Sequence, residues 1–272
     1  MSAWWPSGLG GTSLFLLSLR VAATFLMTPV IYAAPLPTSV RMLLLLALSV
    51  AIASGFEPST MTSIASDTGS LIAAAASELA IGATLGLGIL LAFGAFSVAG
   101  QMLDVQLGYG IAQIVDPVTR RPVPILTSAF EHLAVVVFFL VNGHHALLRG
   151  LAYSVERFPL GAPWPIALAA DIMLKQVGGL FSLGFALAAP VAFCILMVEF
   201  ALGVVARNLP QMNMFVMGIP VKILVGLVAL SLWFSGIGPV MSRTFATIAG
   251  TWDAIFVSAA SMPLAPNSAG GR

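Results

Sequence analysis

Few residues of this sequence have side chains suited to reaction or ligation. His144 and His145 stand side by side, Cys194 is the single cysteine, and Arg20 and Glu199 are charges set inside apolar runs. Neighbouring histidines point in different directions on a helix, and with one distant thiol they lack the spacing of a zinc site. No metal or other cofactor is expected. No His-Glu-x-x-His or Gly-x-Ser-x-Gly pattern occurs, and nothing pairs a nucleophile with a base. The chain does not read as an enzyme. Cys194 reads as a small core residue, and Asn142, Gly143, His144 and His145 as a hydrogen-bonding cluster closing a helix.

A charge at membrane depth costs about 2.5–3.5 kcal/mol or more if it faces lipid. Arg20 and Glu199 are therefore expected to be buried charges, packed against other subunits. In the plainer alternative Arg20 snorkels and Glu199 sits in a helix break.

Two further segments resist a simple helical reading. In QLGYGIAQIVDPVTRRPVP, from Gln106 to Pro124, Gly108 and Gly110 loosen the backbone, and Pro117, Pro122 and Pro124 prevent a continuous helix. Ile111, Ile114 and Val115 nevertheless keep the segment apolar. A loop of this kind at membrane depth must be buried in protein or line a cavity, because its backbone groups would otherwise go unsatisfied. A plug or constriction meets that requirement. The second segment, ARNLPQMNMFVMGIPVKILVGL from Ala206, clusters Arg207, Asn208, Gln211 and Asn213 around Pro210, followed by Met212, Met214, Met217, Pro220 and Lys222. Methionine is flexible and polarizable, so the cluster suits a deformable seal or subunit contact, and suits plain apolar gap-filling equally well.

The elements that must position these residues are set by composition. Of 272 residues, 59% are apolar and 8% charged, with 11 basic against 10 acidic side chains. A soluble domain carries about 25% charged residues. So few charges cannot cover a globule of this size, and the exterior must face lipid or other protein. A net charge of +1 leaves no basic footprint for nucleic acid.

An all-α, polytopic integral membrane protein is predicted. About 20 apolar residues span the hydrocarbon layer, and six runs emerge: Leu14 to Tyr32, Val40 to Gly55, Leu71 to Gly100, Phe130 to Leu148, Ala167 to Val205 and Phe215 to Gly236. The second is short for a bilayer and the third and fifth are too long for one crossing. Pro190 makes the fifth either a kinked helix or a broken hairpin. In the third run Ala73 and Ser77, and Gly82 and Gly86, fall at small-xxx-small spacing, with Gly88 and Gly94 on neighbouring faces. That face is expected to meet protein rather than lipid. Met241, Phe245, Ile248, Trp252, Ile255 and Phe256 recur at helical spacing opposite Arg243 and Asp253, predicting a final amphipathic helix. Residues 1–262 are taken as one helical membrane domain and 263–272 as a disordered tail. The first run lacks a preceding basic residue and reads as retained rather than cleaved. Loop charges leave the orientation open.

Three stretches together resemble the FliR family of flagellar biosynthesis proteins, the counterpart of the SctT subunit of virulence type III secretion. They are DVQLGYGIAQIVDPVTRRPVPIL from Asp104, FFLVNGHHALLRGL from Phe138, and the Ala206 segment. Order, separations and apolar runs match over nearly the whole chain. The resemblance implies a non-enzymatic, single-copy core subunit of the flagellar export gate in the bacterial inner membrane, within the basal body. Its implied partners are several copies each of FliP and FliQ, with FlhB in contact and FlhA nearby. Unfolded flagellar proteins would cross through a cone-like helical pore, driven by energy from elsewhere in the apparatus. The family's plug maps onto Gly108, Tyr109, Gly110, Ile111, Ile114, Val115, Asp116, Pro117, Pro122 and Pro124, with Asp116 and Pro117 as its Asp-Pro pair. Some relatives carry phenylalanines where this chain has Ile111, Ile114 and Val115. Asn142, Gly143, His144, Pro210, Gln211, Met212, Met214, Met217 and Pro220 are the expected subunit-contact or seal residues.

A rival from another class is a self-contained secondary transporter of a small solute, with its site at broken helices near Pro190 and Glu199. It predicts an inverted internal repeat, and none stands out. A third reading keeps the family but makes the chain a structural nucleator of the FliP ring, with no gating loop.

Overall fold

The structure, a computed structural model, describes residues 11–29, 36–56, 68–109, 113–115, 122–209, 214–236, 238, 248, 250–252 and 254–257. The elements run α1 (Gly11–Met27), α2 (Thr38–Ala53), α3 (Thr68–Leu107), β1 (Gln113–Val115), β2 (Pro122–Pro124), α4 (Ile125–Leu140), α5 (Gly143–Arg157), α6 (Ile166–Asn208) and α7 (Met214–Gly236). The architecture is all-α, as the apolar runs require, with one small addition. β1 and β2 pair as an antiparallel ribbon inside the segment that resisted a helical reading.

The six apolar runs become three classes of helix. α3, α6 and α7 are long and apolar enough to cross a membrane. At 1.5 Å per residue the 40-residue α3 is about 60 Å long and the 43-residue α6 about 64 Å, twice the hydrocarbon thickness. α1 and α2, with 17 and 16 residues, fall short of that length. The fourth run, expected as one helix, is instead the pair α4 and α5, bent by 67°. The break is a backbone event: Asn142 sits at φ 56°, in the left-handed region that ends one helix, while its carbonyl accepts from His145 and Ala146 to start the next. Asn142 thus opens α5 as well as ending α4. The fifth run takes the unbroken alternative, since α6 continues through Pro190.

α3 is the central post, packed against α1, α4 and α6. Its contact with α1 follows from the small-residue stripe. Glu78, Gly82 and Gly86 recur every four residues on α3 and meet Arg20 and Thr24 of α1, with Arg20 to Glu78 and Thr24 to Gly82 both separated by 58 residues. A constant offset means the two helices run parallel, with α2 as the return stroke between them. Glycine is required because the backbones touch: a side chain at Gly82 would enter the Arg20 carbonyl, and one at Gly86 would lie 2.6 Å from that of Thr24. The stripe does meet protein, and the protein is the same chain.

α2 packs through a narrow stripe of Leu45, Ser49 and Ala53, leaving Met42 and Leu43 exposed. The C-terminal segment is helical at 248, 250–252 and 254–257 and buries Ile248, Trp252, Ile255 and Phe256, the expected apolar face. Trp252 wedges between Gly88 of α3 and Gly150 of α5. Met241, Arg243, Phe245, Asp253 and the 263–272 tail lie outside the described residues. α6 and α7 expose Phe181, Phe185, Phe193, Phe200, Leu224 and Leu232. A surface this apolar needs lipid or another protein as its surroundings.

Candidate functional site

α3 ends at Leu107, and Gly108, at φ +80°, turns the chain out of the helix in a conformation L side chains rarely adopt. Beyond it, β1 and β2 pair Gln113 with Pro124, Ile114 with Val123 and Val115 with Pro122. Proline has no N–H to donate, so Ile114 and Val123 must be the pair that exchanges hydrogen bonds. The prolines then fall at positions whose N–H would point away from the partner strand. The ribbon closes on itself, and β2 offers an outer edge poor in donors, a weak template for a further strand. Gly110, Ile111, Asp116 and Pro117 of the expected plug lie outside the described residues.

The two feet of the ribbon are joined by a buried carboxylate. Asp104, 1% exposed, accepts from Leu126 N at 3.0 Å, Thr127 N at 2.8 Å and Thr127 Oγ1 at 2.7 Å. These backbone donors are orphans of the first turn of α4, whose N-cap residue, Pro124, makes no side-chain cap bond. Asp104 does from α3 what an N-cap side chain would do in place, and its charge sits at the positive end of the α4 dipole. Gly100, one turn earlier, permits the approach: a Cβ there would lie 2.6 Å from Thr127 Cα.

Arg20 is fully buried, and its partner is internal. Its guanidinium donates to Glu78 through Nε at 2.6 Å and Nη2 at 3.0 Å, to Ser154 Oγ at 3.1 Å and to the Phe158 carbonyl at 3.0 Å. Gly161 N donates to the same Glu78 carboxylate at 2.9 Å. One cluster thus ties α1, α3, α5 and the 158–165 connector. Glu199 stands at this chain's own surface: its side chain is 41% exposed, and it pairs with Lys222 across the α6–α7 hairpin.

The other expected contact residues are not gathered at the ribbon. Asn142, Gly143 and His144 lie at the far end of α4, where the His144 ring packs at a 40° tilt against Phe139 and His145, with centroids 5.3 and 4.2 Å away. Met214, Met217 and Pro220 lie in the first turns of α7. Pro210, Gln211 and Met212 fall outside the described residues. α7 reaches the ribbon's neck at Gly226, which packs against Leu107, and meets α4 where the Phe234 ring lies 5.9 Å from that of Phe130. Among the described residues no three of His, Cys, Asp and Glu come together to hold a metal. Glu78, Asp104 and Ser154 were not singled out by sequence. A signal existed for Glu78, which shares the four-residue spacing of Gly82 and Gly86.

The family model described as bacterial export proteins, family 1, matches residues 12–248. The chain belongs to this family. Among FliR-type relatives, it is 29% identical to flagellar biosynthetic protein FliR of Escherichia coli (strain K12) over 231 residues, 85% of this chain and 87% of that protein. Against FliR of Bacillus subtilis (strain 168) it is 33% identical over 171 residues, 62% of this chain and 66% of that one, just under two thirds of the relative's length. Yop proteins translocation protein T of Yersinia pestis is 24% identical over 147 residues, 53% of this chain and 56% of that protein. The match to this family and the helices long and apolar enough to cross a membrane point the same way as the composition.

Proposed function

We infer that the chain is the FliR subunit of a flagellar type III export gate in the bacterial inner membrane. It builds, with several FliP and FliQ subunits and with FlhB and FlhA alongside, the conduit for unfolded flagellar proteins. Its role is passive and non-enzymatic: the Gly108 to Pro124 ribbon plugs the conduit against ions until export begins, and the Asn142 to His144 and Pro210 to Pro220 segments meet neighbouring subunits. The observation that carries this reading is the ribbon itself, an irregular apolar segment whose backbone pairs internally while its neck is buried between α3 and α4. The exposed apolar faces of α6 and α7 suit burial against sister subunits, which would also cover Glu199 and Lys222. The transporter alternative needs half-helix ends around its substrate, and α6 runs through Pro190 without offering any.

Deleting residues 111–121 is expected to make cells carrying the assembled gate leak potassium, while the chain still co-purifies with FliP-like and FliQ-like proteins. A sealed membrane with intact assembly removes the plug role and leaves a structural nucleator. Failure of the unaltered chain to co-purify with such partners overturns the export-gate reading.

A further inference from the structure

Glu131 carries a negative charge that the fold leaves without a cation, on a helix whose outer face is otherwise largely apolar. Elsewhere the acidic side chains of the described helices are accounted for. Glu78, Asp171 and Glu199 pair with Arg20, Lys175 and Lys222, and Asp104 takes the donors that open α4. Glu156 stands exposed in the last turn of α5, next in sequence to Arg157. Glu131 forms no ion pair among the described residues, and its partner is the Ser97 hydroxyl of α3, which donates to Oε1 at 2.5 Å. His132 is engaged with its own helix, its Nδ1 donating to the Ser128 carbonyl at 2.7 Å.

The surroundings tell what can satisfy this carboxylate. α4 and α5 together qualify as one broken membrane span. Glu131 is exposed where α4 packs on α3, and the same two helices turn Val105, Val136 and Phe139 outward. A carboxylate facing hydrocarbon is costly, and one serine hydroxyl does not neutralise it. An aqueous lining calls for polar neighbours, whereas an exposed apolar face marks a contact with protein. Gln101, one turn beyond Ser97 on α3, adds an exposed amide to the same face. What the site lacks is a positive charge, carried by a protein surface that is otherwise apolar.

We propose that Glu131 is the docking point for a Lys or Arg side chain on a membrane helix of a sister subunit lying along the α3–α4 seam. This rests on the multi-subunit reading above and adds the face that is used and the charge the neighbour brings. Ser97 holds one carboxylate oxygen in place, the cation takes the other, and Gln101 offers a further hydrogen bond. The apolar rim keeps water from the pair and so strengthens it. A cation at membrane depth is satisfied only where it meets a carboxylate, which fixes the register of the two subunits as well as holding them together.

The test is co-purification of FliP-like and FliQ-like proteins with the full chain, scored beside the amount of chain recovered from membranes when it is expressed alone. Glu131→Gln keeps the side-chain length and an oxygen for Ser97 but removes the charge. It is expected to lower co-purification by about tenfold or more, since the neighbour's cation is left unpaired, and to leave recovery of the chain alone unchanged. Glu131→Lys should abolish co-purification. A photoreactive residue in place of Gln101 then identifies the neighbouring helix in the assembled gate. Replacing a Lys or Arg of that helix by Glu should restore assembly with Glu131→Lys. Co-purification of Glu131→Gln at the unaltered level overturns the proposal, whether the face then meets lipid or water. Loss of Glu131→Gln when expressed alone also overturns it, because the charge would then serve this fold and not a neighbour. So does the absence of any Lys or Arg on the crosslinked helix whose replacement rescues Glu131→Lys. If the unaltered chain brings down no such partners, the export-gate reading fails and takes the docking point with it. Normal assembly of both the unaltered chain and Glu131→Gln refutes the docking point alone.

Discussion

Glu78→Ala will destabilise the folded chain by about 3–5 kcal/mol, the cost of leaving a buried charge without its partner. Arg20 would keep Ser154 Oγ and the Phe158 carbonyl but lose both carboxylate oxygens, and Gly161 N would lose its acceptor. The cluster joins four parts of the chain, so the loss is not confined to one helix pair. The measurement is the thermal midpoint of the detergent-purified complex, together with the amount of chain recovered from the membrane. Arg20→Met combined with Glu78→Leu should recover most of the loss, because apolar residues of similar volume replace a buried ion pair at little net cost. A double variant as unstable as the single one would mean that the charges themselves are needed, through a group the cluster binds in the assembly.

The second large effect is expected at the α1–α3 contact. Gly82→Ala places a methyl group against the Arg20 carbonyl and 2.8 Å from Ala23 Cβ. Helix backbones cannot yield locally as a side chain can, so α1 must move away. That displacement also disturbs the bond from Thr24 Oγ1 to the Gly82 carbonyl at 3.1 Å and the Arg20 cluster beneath it. Overpacking of this kind costs about 1–3 kcal/mol, toward the upper end where backbone is struck. Gly178→Ala in α6 is the control: nothing lies within 4 Å of its Cβ. In the isolated chain it should be neutral or stabilise by up to about 1 kcal/mol through helix propensity. Thermal unfolding of the two variants side by side checks the pair, and equal losses would mean the glycine stripe is not the contact described.

Much of this was legible in composition and spacing. Charge scarcity demanded a membrane protein, and residue count times helical rise marked α3 and α6 as too long for one crossing. The triad of motifs placed the chain in its family, and proline and glycine marked the 106–124 segment as the place where helix fails. Each of these inferences uses only local information, because apolar length, backbone propensity and proline's missing donor act within a few residues. Arg20 was also legible as a charge that lipid would not tolerate.

Its partner was not, nor was the cap on α4. Glu78 lies 58 residues from Arg20 and Asp104 lies 22 from Leu126, and no local rule selects one carboxylate over another. Hydropathy likewise passed over the bend at Asn142, since it counts apolar residues and does not register one backbone turned left-handed. Glu199 was read with Arg20 as the same kind of charge, yet one is enclosed within the fold and the other stands at its surface beside Lys222. Local chemistry says that a charge or an orphan N–H needs a partner. Which partner it finds is a matter of which helices come close, and that depends on the packing of the whole chain.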